Sequence, residues 1–350
     1  MVLLKNRTVK PKEPKLKPED YDIKERLDRL GIYLKKYTRD FVFDEFGDAF
    51  IERTGFHYLN GVPVPLRKRD LESFRGGNGL EVNLIIENIN HIIGIDPKFK
   101  YMESYLKFLE TFDNEKIVNT LVKEGCDFAE TKDYDNAVIH FRAALCIQPD
   151  DINAMYNYAL VCREMYLAVD DEKYIGRLKA ESIEYFELLV EIHPGFDQGY
   201  YYLGYAYLNL GLYIKAKLIW EKFLEMTNDP EDKSEIEIRL EQMEQPIRIE
   251  EGCNFVLSGK YELGIIILEP FLSTKFKDWW PMSYYLGIAY DRAGDKKGAI
   301  TSFKRALTLN PSHLESMDEL ANIYAENKDK DNERKYRIKA ELIRSGGYKE

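Results

Sequence analysis

The sequence predicts an all-α fold, a solenoid built from stacked helical hairpins, and three observations support this prediction. A pattern of about 34 residues recurs five times, and a period of this length is typical of helical repeat proteins. Hydrophobic residues make up 45% of the 350-residue chain, a content that excludes a disordered chain. No apolar run approaches the ~20 residues that a membrane span needs. The clearest copy of the pattern comprises Leu286, Gly287, Tyr290, Gly294, Ala299, Phe303, Ala306 and Pro311.

Each position in this pattern has a physical role. The glycine lets two helices cross closely, and the large residues three or four places away fill the space beside the crossing. The proline ends the second helix because it cannot continue the hydrogen-bond ladder. We therefore expect a first helix around Gly287, a second around Phe303, and an end near Pro311.

The Leu-Gly pair, the aromatic and alanine positions and the closing proline resemble the tetratricopeptide repeat family, from about residue 118 to the end of the chain. The resemblance implies a right-handed superhelical solenoid over residues 116–345. Five clear repeats, a weakened polar sixth and a spacer helix at 231–244 make up this region. The repeats cover residues 118–151, 152–196, 197–230, 245–279, 280–313 and 314–345. Repeat 2 carries an insertion near 168–179, which either lengthens its helices or forms a protruding loop.

Two N-terminal parts fall outside the repeats. Residues 1–19 are predicted to be a flexible basic arm containing prolines, because six Lys or Arg side chains stand there against one Glu in residues 1–18. Residues 20–115 are predicted to be a mostly helical capping region. Its expected elements are a helix over 20–40, a small β-hairpin near 55–66, a helix over 84–93 and a helix over 101–112.

The hairpin prediction depends on Asn60-Gly61, which suits a two-residue turn with positive φ. Pro63 and Pro65 follow this turn and cannot donate to a ladder. The second strand must therefore be an edge strand or merely extended. Asp96-Pro97 is expected to end the helix over 84–93 in the way that prolines end the repeats.

The sequence contains no catalytic constellation. Asp44, Asp48 and Glu52 follow one another at four-residue spacing near His57 and could bind a metal, but a solvated acidic face is the favoured interpretation. The run at 76–79, Gly-Gly-Asn-Gly, lacks the Lys-Ser/Thr of a phosphate loop. The four cysteines lack C-x-x-C spacing, which argues against disulfides and a zinc site, and Cys126 and Cys253, which follow the repeat glycine, are predicted to be buried thiols. The other two are Cys146 and Cys162. We predict no enzyme, no cofactor and no metal.

In the family that the sequence resembles, residues one helical turn apart on the first helices line a concave groove that binds the partner. The resemblance implies a partner-binding set of Asn153, Tyr156, Asn157, Arg163, Gln198, Tyr201, Tyr205, Asn209, Tyr284, Ile288, Asp291, Asp318 and Asn322. Tyrosine suits recognition because it brings a large area, a polar tip and few rotatable bonds. Aromatic side chains surround the helix at 200–207, which is equally typical of burial. Recognition and packing are therefore equal alternatives for Tyr201 and Tyr205.

The leading hypothesis is a cytoplasmic, non-enzymatic adaptor or scaffold that binds a peptide or helix of a partner protein in this groove. The alternatives are a peptide-responsive regulator with an N-terminal effector region and a self-assembling scaffold, and the oligomeric state stays open. The net charge of -11 makes nucleic-acid binding by the solenoid unlikely and leaves only a weak contact by the basic arm. A clamp for chaperone C-termini would need Lys and Asn where Val122 and Cys126 stand, and Asn157 alone cannot hold a carboxylate.

Overall fold

The structure, a computed structural model, describes residue 3 and residues 16–71 and 81–346. The chain forms two compact units, which are described separately. Unit 1 comprises residues 1–206 and 219–227, and unit 2 comprises residues 207–218 and 228–350. Most of the predicted basic arm and the glycine-rich run at 76–79 lie outside the described residues.

Short elements precede the repeats. They are α1 (Pro18–Tyr21), α2 (Gly31–Leu34), β1 (Phe41–Glu45), α3 (Asp48–Thr54), β2 (Pro63–Arg67), α4 (Val82–Ile95) and α5 (Met102–Leu109), with 3-10 turns at Lys35–Asp40, His57–Leu59 and Lys68–Asp70. The helix predicted over 84–93 is present as α4, and the backbone N–H of Asp96 closes it on the carbonyl of Ile92.

Helical hairpins make up the rest of the chain, which confirms the predicted all-α solenoid. The helices are α6 (Asn114–Glu130), α7 (Tyr134–Ile147), α8 (Ile152–Ala168), α9 (Glu172–Ile192), α10 (Asp197–Asn209), α11 (Tyr213–Met226), α12 (Pro230–Gln242), α13 (Glu244–Leu257), α14 (Tyr261–Leu268), α15 (Trp280–Arg292), α16 (Lys296–Leu309), α17 (Leu314–Glu326) and α18 (Lys330–Arg344). The extra residues of repeat 2 lengthen α8 to 17 residues and α9 to 21. Only residues 169–171 connect them, so the protruding-loop alternative does not hold.

The repeat glycines mark the closest helix crossings. A Cβ added to Gly287 would lie 2.6 Å from the ring of Phe303, and one added to Gly125 would lie 2.6 Å from the ring of Phe141. At Gly204 the same atom would lie 2.1 Å from Nε1 of Trp220. Each partner ring comes from the second helix of the same hairpin. Glycine is therefore required at these places because no other residue lets the two helices approach this closely.

The turn inside five of the hairpins falls at a constant position. A residue with positive φ stands seven places after the repeat Gly or Ala, at Lys132, Gly211, Gly259, Gly294 and Lys328. Glycine takes this left-handed conformation without a steric penalty, whereas the two lysines carry one. The next residue is an aspartate in three hairpins, and its carboxylate caps the second helix. These capping residues are Asp133, Asp295 and Asp329.

Two N-terminal predictions are wrong. Residues 20–40 do not form one helix, because the carboxylate of Asp28 accepts the N–H groups of Leu30 and Gly31 at 3.2 and 2.8 Å and so interrupts helical bonding. The hairpin at 55–66 is also misplaced: β2 pairs antiparallel with β1, from Phe41 opposite Arg67 to Glu45 opposite Pro63. The residues before the Asn-Gly turn fold into the 3-10 turn instead of a strand. The edge-strand prediction for β2 fits this two-stranded sheet.

The predicted alignment of the acidic N-terminal side chains is wrong as well. Asp44 lies in β1, whereas Asp48 and Glu52 lie in α3, so one helix does not carry all three. Among the residues that the structure describes, no group of three His, Cys, Asp or Glu side chains could hold a metal ion.

The segment at 22–37 is fixed to α7 and α9 by charged groups. Arg142, only 1% exposed, donates through Nη1 to Asp28 at 2.9 Å and through Nε to the carbonyl of Gly94 at 2.9 Å. Arg29 pairs with Glu181 of α9 at 3.1 Å. Tyr33 stacks on Tyr174 with ring centroids 3.9 Å apart. The N-terminal segment is thus part of the unit 1 core.

Candidate functional site

Five of the predicted groove residues lie on two neighbouring first helices of unit 2. Tyr284, Ile288 and Asp291 follow one another at one-turn spacing on α15, and Asp318 and Asn322 do so on α17. Ile288 is partly buried and packs against the two hydrophobic clusters of this unit. Asn322 is exposed, and the Asp318 side chain is 40% exposed. We call these five residues the α15–α17 face.

Ion pairs fix the carboxylates of the α15–α17 face. Asp291 accepts from Lys296 at 2.8 Å, and Lys296 also bridges to Glu326. Asp318 pairs with Arg344 of α18. The two aspartates are therefore held in defined positions at opposite sides of this face.

Burial and nearby carboxylates shift the pKa of Glu319 and Tyr284 on the α15–α17 face. Burial raises the pKa of Glu319, and the carboxylates of Asp291 and Asp318 raise it against the opposing charges of Arg292 and Lys296. Burial, with the charges of Glu319 and Glu315, raises the pKa of Tyr284 to about 12, so its hydroxyl stays protonated. The arrangement can receive hydrogen-bond donors and a positive charge.

The predicted residues on α8 lie in the interior. Asn153, Tyr156 and Asn157 are 7%, 1% and 0% exposed. Tyr156 packs edge-on against Phe196, with centroids 5.4 Å apart, and Asn157 donates to Sγ of Cys126 at 3.4 Å. Every residue of α8 from 152 to 162 is buried, so these three positions are closed to a partner in this structure. Arg163 is half-buried and pairs with Glu164 at 2.8 Å.

The predicted tyrosines of α10 belong to an aromatic cluster. Tyr205 packs edge-on against Trp220, with centroids 4.9 Å apart, and Tyr201 packs against Phe223 at 5.4 Å. Both tyrosines are half-buried, as is Gln198, whereas Asn209 is exposed. Packing and recognition therefore both remain open for Tyr201 and Tyr205.

Unit 1 also contains a cleft that the sequence did not indicate. Its volume is about 1300 Å³, and we call it the α4–α6 cleft after the two helices that form its long walls. On α6 it is lined by Thr120, Glu124 and Asp127, and on α4 by Glu87 and Asn90. Residues 67–69, the sequence Arg-Lys-Arg, line it from the end of β2.

The floor of the α4–α6 cleft brings together two histidines that are far apart in the sequence. The rings of His91 and His140 lie edge-on with centroids 5.7 Å apart, and Phe41 contacts His91 at 5.6 Å. Burial, with the charge of Arg67, lowers the pKa of His91 to about 3, and burial lowers that of His140. Both imidazoles are therefore neutral at neutral pH.

The remaining residue types of chemical interest are inert here. All four cysteines are buried and outside disulfides, and the burial predicted for Cys126 and Cys253 is confirmed. Burial raises the pKa of Cys146 and of Cys253 to about 12, so both thiols stay protonated and are poor nucleophiles. Within the described residues, no helix has the length and apolar content to cross a membrane.

No curated protein sequence matches the chain. Among solved structures, the tetratricopeptide domain of P58(IPK) is 19% identical, with 64% of this chain and 60% of that chain covered and a TM-score of 0.40. MamA from Desulfovibrio magneticus RS-1 is 18% identical, with 54% and 96% covered and a TM-score of 0.29.

A third similar structure is YrrB, described as a tetratricopeptide-repeat protein with an unusual peptide-binding site. It is 15% identical, with 58% of this chain and 91% of that chain covered and a TM-score of 0.28. These TM-scores are low, and the similarities support no argument about the function of this chain.

The family model for the tetratricopeptide repeat matches residues 283–313, which span most of α15, the whole of α16 and the turn to α17. The matched segment is the copy that carries Gly287, Phe303 and Pro311. The resemblance to the tetratricopeptide repeat that the sequence predicted is thereby confirmed over this segment.

Proposed function

We propose that this protein is a non-enzymatic scaffold whose α15–α17 face binds a segment of a partner protein. The observation that carries the proposal is the alignment of Tyr284, Ile288 and Asp291 beside Asp318 and Asn322, at one-turn spacing on adjacent first helices. Such a face offers an aromatic and an aliphatic contact flanked by hydrogen-bonding groups, which is the composition that recognition surfaces favour.

The charge of the face selects the partner. The carboxylates of Glu319 and Glu315, which act on Tyr284, favour a segment that presents a basic side chain. Because Asp318 and Asn322 are accessible, they can accept hydrogen bonds from the partner without rearrangement of the helices. We place this interaction in the cytoplasm, as the sequence suggested.

An affinity-capture experiment with two matched variants tests the proposal. Asn322→Arg introduces a positive charge on the face, whereas Thr301→Arg makes the same change at an exposed position on the second helix α16. We expect Asn322→Arg to reduce capture of the principal partner at least about tenfold, through like-charge repulsion and a blocked surface. Thr301→Arg should leave capture unchanged.

Equal capture by wild type and both folded variants would remove the α15–α17 face from the proposal. Circular dichroism of each variant checks that the fold is kept. If the principal captured protein is a second copy of this chain, the self-assembling scaffold replaces the adaptor.

A further inference from the structure

The α4–α6 cleft has the features of a second binding site, in a different part of the chain from the α15–α17 face. Its lining runs from Lys116 on α6 to Thr131, the residue that follows the helix, which corresponds to about 22 Å at the helical rise per residue. An extended polypeptide of six or seven residues covers that distance at about 3.3 Å per residue. The volume of about 1300 Å³ exceeds the ~300–1,000 Å³ of typical small-molecule pockets.

This cleft does not coincide with the groove positions that the sequence predicted. On α6 the positions that a chaperone clamp would use are Val122 and Cys126, which are 1% and 0% exposed. Thr120 and Glu124 instead line the cleft from another side of the same helix. The cleft therefore owes its shape to the N-terminal region and α4 as well as to the first repeat.

Two buried polar atoms at the cleft lack hydrogen-bond partners among the described residues. Asn90, 5% exposed, has no hydrogen-bond partner for Oδ1 among the described residues, and Nδ1 of His91, 8% exposed, has none either. A buried polar group without a partner usually costs roughly 1–3 kcal/mol, so such groups are retained where something else pairs with them. Both side chains line the cleft.

The pair formed by His140 and Glu124 points to the same kind of ligand. Nδ1 of His140 donates to the carbonyl of Asn136 at 2.7 Å, so in the neutral ring Nε2 carries a lone pair. This Nε2 lies 3.6 Å from the Glu124 carboxylate, which is itself an acceptor. Burial and the charge of Glu87 raise the pKa of Glu124. Two acceptors face one another, and a donor with several N–H groups would satisfy both.

The charges around the cleft are nearly balanced. Its basic side chains are Arg67, Lys68, Arg69 and Lys116, and its acidic side chains are Asp40, Glu87, Asp113, Glu124 and Asp127. A lining of this kind offers no continuous positive track, so it does not suit the phosphate backbone of a nucleic acid. It suits a segment that carries both charge signs.

We propose that the α4–α6 cleft binds an extended segment of another polypeptide and that a basic side chain of this segment, arginine or lysine, inserts toward Glu124, His140 and Asn90. The guanidinium or ammonium group supplies the donors that these three acceptors lack. An acidic residue elsewhere in the segment faces the basic residues at 67–69. This inference does not depend on the α15–α17 face.

Synthetic peptides test this proposal on the full-length chain. The probes are fluorescein-labelled octapeptides of Ala and Ser with one arginine and one glutamate in every placement, and a matched set with citrulline, which is neutral and isosteric, in place of arginine. We expect a subset of the arginine peptides to bind, with affinity at least about tenfold above that of their citrulline counterparts, because a charge-assisted hydrogen bond is lost.

Three variants separate binding from folding. Glu124→Gln should weaken the best peptide about tenfold while the melting temperature stays equal or rises, since a partly buried, repelled carboxylate becomes neutral. Asn90→Leu should weaken binding without loss of stability, because it removes an unpaired buried acceptor. Glu103→Gln, an exposed change on α5 outside the cleft, should leave binding within about twofold.

Several results would overturn the proposal. They are no binding by any octapeptide, equal binding of arginine and citrulline peptides, unchanged binding to Glu124→Gln, and displacement of the best peptide by a single-stranded oligonucleotide. If Asn90→Leu does not fold, Glu124→Gln, whose site is half-exposed, decides the question.

Discussion

The buried Arg142–Asp28 pair allows the sharpest test of how the N-terminal segment is held. Arg142→Met removes the guanidinium while keeping a long side chain, and so leaves the Asp28 carboxylate without a cation. Asp28 is 17% exposed and keeps the N–H groups of Leu30 and Gly31. Breaking a buried ion pair costs about 3–5 kcal/mol of unfolding free energy. Because the Asp28 carboxylate keeps some contact with water and two N–H groups, we expect a loss near the lower end, about 3 kcal/mol.

A double-mutant cycle separates the pair from its surroundings. Asp28→Asn alone leaves Arg142 buried without its carboxylate and should cost a similar amount. The double variant contains no uncompensated charge, so its loss of unfolding free energy should fall short of the sum of the two single losses by at least about 1.5 kcal/mol. Urea denaturation followed by circular dichroism measures all four proteins.

An exposed pair provides the control for this cycle. Arg337 and Glu333 lie 3.0 Å apart on α18, and the arginine side chain is 53% exposed. Arg337→Met should cost no more than about 0.5 kcal/mol. Additivity of the Arg142 and Asp28 variants within about 0.5 kcal/mol would refute the reasoning, because the two side chains would then not be coupled.

The remaining predictions concern packing, turns, caps and pH. Gly287→Ala should lower the free energy of unfolding by about 1–3 kcal/mol, because the new Cβ meets the Phe303 ring at 2.6 Å. Gly176→Ala, with open space around it, should raise the free energy of unfolding by about 0.5–1 kcal/mol. Thermal melts of both variants distinguish overpacking from helix propensity. Lys328→Gly should stabilise by about 1 kcal/mol because φ is 59° there, and no gain in the denaturation midpoint would contradict this. Asp295→Ala should cost about 1 kcal/mol through loss of the cap on α16, measured by the same denaturation. Burial alone would raise the pKa of Asp28, but the hydrogen bond and charge of Arg142 outweigh it and lower the pKa. The stabilisation by Asp28 is therefore complete above the unfolded pKa of about 3.9 and declines as the pH falls through the lower folded pKa. When the free energy of unfolding is measured against pH, this decline at acid pH should be absent from Asp28→Asn.

The repeats could be predicted because each carries its own local signals. Gly287 and Phe303 specify a crossing, and the left-handed turn at Gly294 follows at a fixed distance. These interactions occur within one hairpin, so a period in the sequence is enough to find them. The helix at 84–93 could also be predicted from local signals, since its apolar spacing and Asp96 define it.

The N-terminal region could not be predicted in the same way because its structure depends on distant partners. β2 pairs with β1 across the intervening helix α3, whereas the sequence favoured the nearer hairpin. The helix expected over 20–40 is interrupted by Asp28, whose place is fixed by Arg142 more than a hundred residues later. The position of Arg142 among the apolar residues at 141–147 was the available signal of this contact.

The candidate sites show the same division. The positions on α15 and α17 followed from the repeat phase, but the burial of Asn153, Tyr156 and Asn157 did not, because a periodic position does not say what covers it. The α4–α6 cleft was missed because its floor joins His91 and His140, which lie in different helices. Only tertiary packing brings such residues together.

Site-specific photo-crosslinking tests the central proposal of a partner-binding face most directly. A photoreactive amino acid is placed at Asn322 on the α15–α17 face and, in a second protein, at Thr301 on α16. We predict that the captured partner forms a covalent adduct with the protein labelled at 322 and none with the protein labelled at 301. Equal crosslinking at both positions, or crosslinking at 301 alone, would contradict the proposal.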